Sequence, residues 1–325
     1  MKQLLIIFLL FISSISIGQP TSTKWVSAFE VNASLAPMDL FVDIDGNSYI
    51  IGTYVDSIDI DPGAGFSYLY SLGAQDVYVC KLDSSGGLLW GFSLGTPTTD
   101  DGYSIVADGA GNCYITMMFT GTMDADPGAG VFTLPNAVGQ SHLLLGKYDQ
   151  NGVFVWAQHL TSQFSFGFEM AINSTHLFVA DFSTPTGELI KYDLNNNPIW
   201  SSNLAGINVE SIKIDNTNNI YLTGNYSGTV DFDPGVGVDN HSSNGLEDVF
   251  LSKYDINGNY QWAKSFGGSG MDVAYDVEVD NSNNPWICGY YNSTVDFDPS
   301  ILTANSTSVG FADIFISKFN EIGTF

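Results

Sequence analysis

Paired aspartates are the residues of this 325-residue chain whose types and spacing best suit chemistry. They stand in Asp59-Ile60-Asp61-Pro62-Gly63-Ala64-Gly65, in Asp124-Ala125-Asp126-Pro127-Gly128-Ala129-Gly130 and in Asp231-Phe232-Asp233-Pro234-Gly235-Val236-Gly237, with a degenerate copy in Asp296-Phe297-Asp298-Pro299-Ser300. Carboxylates at i and i+2 of an extended stretch share one face, and glycine carbonyls add further oxygens. Calcium is therefore the cofactor these loops suggest, with Asp59, Asp61, Asp124, Asp126, Asp231, Asp233, Asp296 and Asp298 as candidate ligands. The plainer reading is a hairpin turn: proline presets φ at the first corner, glycine takes a positive φ, and the aspartates cap backbone amides. Calcium takes about 6–8 oxygens, of which two aspartates supply only part.

Other candidates are weaker. Gly91-Phe92-Ser93-Leu94-Gly95 fits a nucleophile-elbow pattern, but it sits in a repeated strand with Ser265 at the matching place, so no catalytic residue is assigned. His142, His159, His176 and His241 follow no metal-ligand spacing and read as surface or core residues. Three of them flank the short third repeat described below, where an asymmetric active region would have to lie.

Composition bounds the partners. The chain has 35 acidic residues against nine positive ones, all lysine, for a formal charge of −26. That balance repels phosphate backbones and acidic membrane surfaces, and without arginine there is no bidentate fork for a phosphate or a guanine edge. Nucleic acid is excluded as an expected partner. Hydrophobic content of 44% and aromatic content of 14% exceed what a disordered acidic tail carries. Thirty-four glycines and 11 prolines point to short strands and turns.

Met1-Lys2, the apolar run from Leu4 to Ile17 and the small residues up to Gly18 have the form of a secretory signal peptide, residues 1–18. The run falls short of the roughly 20 residues needed to span a bilayer, and no later stretch is apolar for long enough. The expected location is secreted, extracellular or outer cell surface, with the periplasm as an alternative. Without the leader, 35 acidic residues face eight lysines, a charge of −27. Cys80, Cys113 and Cys288 have unrelated spacings and read as small core residues, one disulfide being the alternative.

The elements that must position the aspartate loops are set by an internal repeat. Tryptophans 25, 90, 156, 200 and 262 head similar segments, spaced by 65, 66, 44 and 62 residues. Lys81-Leu82-Asp83, Lys147-Tyr148-Asp149, Lys191-Tyr192-Asp193, Lys253-Tyr254-Asp255 and Lys318-Phe319-Asn320 keep the same register. The third unit has only a core of about 44 residues, and the aspartate loops are insertions in the other four. Strands separated by Asx-type turns at Asp43, Asp108, Asp215, Asp255 and Asp280 give four short antiparallel strands per unit, the size of a propeller blade. The expected fold is all-β, a five-repeat β-propeller forming one domain over residues 19–325. It is expected to close by pairing the N-terminal Trp strand, Lys24 to Phe29, with the C-terminal Lys strand, Ile314 to Phe319. The competing reading is a fragment of a longer propeller or array, because Phe319 to Gly323 looks like a turn into another Trp strand.

These segments resemble the β-propeller repeat proteins called SBBP, common among secreted proteins of Bacteroidetes-type bacteria. The carriers are Lys253 to Gly258 with Trp262 to Gly268, Val279 to Asn284, and Tyr221 to Gly224 with Val230 to Gly235. The match covers nearly the whole mature chain. It implies an extracellular or surface module whose ligand is open. Many such relatives carry a C-terminal sorting domain for the type IX secretion route; none is recognised here, which favours the fragment reading.

The functional expectation is a non-enzymatic propeller that binds a glycan or protein ligand through the repeated acidic loops. A structural array element and a glycosidase with a carboxylate pair in the central channel are the alternatives. An acidic residue unique to one blade and facing the channel would favour the enzyme; regular aspartate loops on one rim would favour binding. The repeated tryptophans read as core between sheets rather than as a sugar-stacking set, and the repeated lysines as strand-end cations offsetting aspartates rather than as a ring around a pore.

Overall fold

The computed structural model describes residues 29–31, 34–134, 141–160, 168–181 and 187–325, and every regular element among them is a strand. The expected leader and Trp25 lie outside these residues. Nineteen strands build five antiparallel sheets, each running from an inner to an outer edge in chain order. Blade 1 holds β1 (Ser34–Val42), β2 (Ser48–Val55), β3 (Asp76–Leu82) and β4 (Leu88–Leu94). Blade 2 holds β5 (Asp101–Ala107), β6 (Cys113–Thr120), β7 (Ser141–Tyr148) and β8 (Phe154–Leu160). Blade 3 holds β9 (Phe168–Ile172), β10 (His176–Asp181), β11 (Glu188–Asp193) and β12 (Pro198–Asn203). Blade 4 holds β13 (Ile207–Ile214), β14 (Ile220–Tyr226), β15 (Asp248–Tyr254) and β16 (Tyr260–Phe266). Blade 5 has three strands, β17 (Val273–Val279), β18 (Pro285–Tyr291) and β19 (Asp313–Lys318). The chain is a five-bladed propeller, and of the strand expected to complete its last blade, Lys24 to Phe29, only Phe29 is among the described residues.

Local sequence fixes the hairpins. Asp215 Oδ1 accepts the N–H groups of Thr217 and Asn219, both at 2.8 Å, and Asn218 takes the left-handed conformation at φ 64°. Asp255 does the same for Asn257 and Asn259 around Gly258, at φ 79°. The carboxylate supplies an acceptor before the ladder forms, so each turn is specified by its own five residues.

Inner strands carry a bulge. The register slips between Pro37 and Asp39, Gly102 and Ser104, Val209 and Ser211, and Ala274 and Asp276. A bulge brings the facing backbone close. A methyl group on Gly224 would lie 1.9 Å from Asn208 O, and one on Gly289 1.9 Å from Val273 O, so only glycine fits opposite.

Consecutive blades bury their cores between them. Tyr49, Val77 and Val79 of blade 1 pack against Ile105, Ile115 and Met117 of blade 2, and Tyr221, Val249 and Leu251 of blade 4 against Val277, Ile287 and Phe315 of blade 5. The described tryptophans work at these junctions. Trp90 lies against Gly152 in the turn of the next blade, Trp200 against Gly258 and Trp262 against Gly323. Trp90 Nε1 also donates to Gln150 O at 2.9 Å. This is the core role expected of them.

The lysines offset aspartates, as Lys147 Nζ does 3.9 Å from Asp108 Oδ2 and Lys318 Nζ 3.0 Å from Asp280 Oδ2, and they do more. Each of the five sits over the aromatic ring of the neighbouring strand: Lys81 over Tyr49, Lys147 over Tyr114, Lys191 over Phe178, Lys253 over Tyr221 and Lys318 over Trp286, at 4.6 to 5.6 Å. Lys147, Lys191 and Lys253 then donate to Leu194, Ile256 and Glu321 carbonyls in the next blade's turn at 3.0 to 3.1 Å. The repeated Lys–aromatic–Trp row is thus a latch from blade to blade, not a ring around the pore. Cys80, Cys113 and Cys288 are all free thiols.

Candidate functional site

The aspartate loops form the tips of hairpins inserted in blades 1, 2, 4 and 5, with stems such as Thr229–Asp231 paired to Asn240–Ser242; in blade 1 Glu30–Val31 adds a third strand beside Ser57–Asp59. In every copy the first aspartate staples the hairpin. Asp59 Oδ1 accepts the N–H groups of Asp61 and Ser67, Asp124 Oδ1 those of Asp126 and Phe132, Asp231 Oδ1 those of Asp233 and Asp239, and Asp296 Oδ1 those of Asp298 and Ala304, at 2.7 to 3.2 Å. The second aspartate caps the tip. Asp61, Asp126 and Asp233 accept from Gly63, Gly128 and Gly235 at 2.8 Å, and Asp298 from Ser300 at 2.9 Å. A methyl group on Gly65, Gly130 or Gly237 would lie 2.3, 2.0 or 2.0 Å from the Oδ2 of that second aspartate, so the last glycine of the motif makes room for the carboxylate. Each loop brings its two predicted ligands side by side, with their Oδ1 atoms engaged by backbone amides. Among the described residues no three His, Cys, Asp or Glu side chains converge to hold a metal.

Grooves open beside two of the tips, each between the tip and the outer strand of the preceding blade. One, of 220 Å³, is lined by Trp90, Phe92, Asp126, Pro127, Asn151 and Phe154. Its counterpart, of 440 Å³, is lined by Ser202, Asp233, Pro234, Val236, Asn257 and Tyr260. The two linings occupy matching repeat positions, so the groove is a product of the repeat. Exposed Val153 lines the first opening and exposed Val236 the second.

A second concentration of polar groups lies in the central channel, which the sequence reading missed. The five inner strands enclose a cavity of 240 Å³. Four residues before each inner turn, beside the bulge where there is one, stand Asp39, Ser104, Glu169, Ser211 and Asp276. Ser104 Oγ donates to Asp39 Oδ2 at 3.0 Å, Ile105 N donates to the same oxygen at 2.7 Å, and Ser211 Oγ donates to Asp276 Oδ1 at 2.8 Å. Burial pushes the Asp39 carboxyl up despite these bonds, and the charge of Asp276 adds to the effect. Burial, then the charges of Asp39, Asp276 and Glu210, raises Glu169 well above the ordinary carboxylate range. Glu169 is thus the carboxyl of the ring whose charged form burial and its acidic neighbours disfavour, and it is the one glutamate in the ring position. It belongs to the third blade, the unit singled out for asymmetry.

The minor candidates settle into structural roles. Ser93 Oγ meets the Tyr54 hydroxyl at 2.7 Å within β4, not at a strand-to-helix elbow. His142 and His159 stack on each other, centroids 4.3 Å apart, and His176 Nδ1 lies 2.8 Å from Thr175 Oγ1.

No protein-family model matches the chain. Among curated proteins it is similar to the uncharacterized WD repeat-containing protein L264 of Acanthamoeba polyphaga mimivirus, 24% identical over 280 residues, covering 79% of this chain and 18% of that protein. The chain thus spans less than a fifth of the relative's length. Among solved structures it is similar to the Dos1 propeller, with a TM-score of 0.41 and 11% identity over 81% of this chain and 78% of that one. It is also similar to the PQQ domain of a pyranose dehydrogenase from Coprinopsis cinerea, with a TM-score of 0.41 and 10% identity over 93% and 89%.

Proposed function

We propose that this protein is a ligand-binding propeller of the SBBP type, delivered outside the cytoplasm by its leader, that presents its aspartate hairpins as a docking rim for a glycan or protein partner. The observation that carries the reading is the repeated groove beside the tips at Pro127 and Pro234, which offers aromatic and amide groups at two matching places. Rigid blades with loops held by their own carboxylates make such a rim pre-organised, so little ordering is lost on binding. The strongly negative surface selects neutral or basic ligands.

Binding of the mature chain to a panel of neutral oligosaccharides and basic extracellular domains tests this. Phe154→Ala and Tyr260→Ala are each expected to weaken binding by about tenfold, since aromatic anchors carry most of such an interface. Binding that neither variant moves would remove the grooves from the reading. Calcium is resolved on the same samples: loops that use their remaining oxygens for calcium raise the melting temperature when it is added, and Asp231→Asn with Asp233→Asn takes away part of that rise. Melting that chelator leaves unchanged would limit the carboxylates to their turn role.

A second reading, a glycosidase, is favoured by one observation, Glu169 lining the channel with Asp39 and Asp276, its pKa raised by burial and then by their charges. Hydrolysis of aryl glycosides that Glu169→Gln lowers by at least about a hundredfold would support it; no hydrolysis by the unmodified chain would end it.

A further inference from the structure

Blade 4 differs from its neighbours at positions that meet in space. Ser265, on the outer strand β16, has its Oγ 2.7 Å from His241 Nδ1. The opposite ring nitrogen, His241 Nε2, lies 3.5 Å from Asp239 Oδ1. Asp239 Oδ2 accepts the Tyr260 hydroxyl, which holds that carboxylate in place. Phe232 packs edge-on against the imidazole, centroids 5.1 Å apart at 78°, and fixes its plane. The aspartate hairpin sets the spacing, because Asp239 N donates to Asp231 Oδ1 at 2.8 Å and His241 pairs with Val230 across the stem.

The repeat supplies its own comparison. In blade 1 the matching residues are Ser93, Leu69 and Ser67, and Ser93 meets Tyr54 instead of an imidazole. Blade 2 has His159, Leu134 and Phe132 at these places, and the blade 5 hairpin has Ser306 and Ala304. Three blades therefore build the same hairpin without this constellation, so packing alone does not call for it.

The geometry points to Ser265 as a nucleophile toward activated esters, with His241 as its general base and Asp239 as the group that orients the imidazole. This activity lies beyond ligand binding at the rim and stands independently of it. Ser265 Oγ attacks the carbonyl carbon, and the new O–C bond forms as the hydroxyl proton passes to His241 Nδ1. The bond to the leaving alcohol breaks as the same proton passes to its oxygen. Water repeats the two steps on the acyl-serine, releases the acid and restores the hydroxyl. The half-buried setting of Ser265 and His241 suits small acyl donors.

A fluorophosphonate probe tests this on the full mature chain, because it transfers its phosphonyl group to an activated serine oxygen with loss of fluoride and the serine proton. Peptide mapping is expected to find Ser265 modified at least about a hundredfold faster than Ser93, the span of a positioned general base. His241→Leu, which copies blade 1, is expected to lower Ser265 labelling to the Ser93 rate. Asp239→Asn, which keeps the shape of the side chain, is expected to lower it in a protein of unchanged melting temperature, and Ser93→Ala is expected to leave it unaltered. Labelling of the two serines at equal rates, absence of the Ser265 adduct, or labelling of folded His241→Leu or Asp239→Asn at the unmodified rate would each overturn the assignment.

Discussion

A mature chain lacking residues 19–28 is expected to melt about 5–10 °C below the 19–325 chain, with proteolysis starting in blade 5. The reason lies in what blade 5 leaves open. In blade 4 the face turned toward the next blade carries Tyr221, Val249 and Leu251, each 0% exposed. The matching residues of blade 5, Trp286, Ile314 and Ile316, are 41%, 85% and 71% exposed. Among the described residues strand β19 also has no outer neighbour, whereas Lys81, Lys147, Lys191 and Lys253 each pair with a tryptophan.

Phe29 indicates what completes it. Phe266, four residues after Trp262, meets Phe315 of the next blade edge-on, at 5.6 Å and 81°. Phe29, four residues after Trp25, meets Tyr78 of blade 1 edge-on, at 6.0 Å and 80°, and Tyr78 and Phe315 both stand three residues before the repeat lysine. Phe29 thus stands against blade 1 as Phe266 stands against blade 5, and among the described residues blade 5 is the one short of a strand. Gly86, at φ 87°, is the turn glycine that would receive Trp25. Burial of a large aliphatic side chain contributes about 1.5–3 kcal/mol, and a loosened seam forfeits several such terms. A truncated protein that melts with the full chain would show that the ring is not closed through this strand.

Much of this architecture was legible because its determinants are local. An Asx turn is written in five residues, and the Trp and Lys rulers keep step with it, so blade number and strand order could be read before any contact was known. The channel ring was not legible. Asp39, Ser104, Glu169, Ser211 and Asp276 share a place in space but not a residue type, and the bulge before four of them shifts the face they point to by one. The lysine latch was half legible: five lysines in register were evident, but their partners are aromatic rings one strand away and carbonyls one blade away. Ser265 and His241 lie 24 residues apart, joined only by the folding back of the inserted hairpin. Histidine spacing read along the chain had no means of finding them.

Stability is expected to rise as the pH falls from 7 to about 5, which sets this protein apart from the many whose maximum lies near neutrality. Two populations of carboxylates oppose each other. Burial pushes Asp100 up to about 6, even though it accepts Thr96 N at 2.6 Å, and burial likewise raises Asp76, Asp248, Asp272, Asp39 and Glu169. For these groups the folded chain binds protons more tightly than the unfolded one. Their stabilising effect is therefore full below the unfolded values, 3.8 for the aspartates and 4.5 for Glu169, and is lost as the pH climbs through the folded values. The turn caps run the other way. Asp83, held first by the Ser85 hydroxyl, Asp193, held first by the Asn197 amide, and Asp280, held first by Asn284 N–H, all lie below the ordinary carboxylate range. Their contribution is present above the unfolded value and disappears as they take up protons in stronger acid. The two signs place the maximum between about pH 4 and 5.5. Scanning calorimetry across pH 3 to 8 is expected to show a rise of about 3–6 °C from pH 7 to pH 5 and a fall below about pH 3.5. Relief of the net charge of −26 pushes in the same direction, and salt separates the two causes. Added salt at pH 7 recovers the part due to exposed charges, because it screens them, and leaves the part due to buried carboxyls. Asp100→Asn should flatten the slope that persists in salt, since the amide keeps the shape of the side chain without the charge that burial penalises. A melting maximum at pH 7 or above would mean that the buried carboxylates are ionised in the fold at no cost.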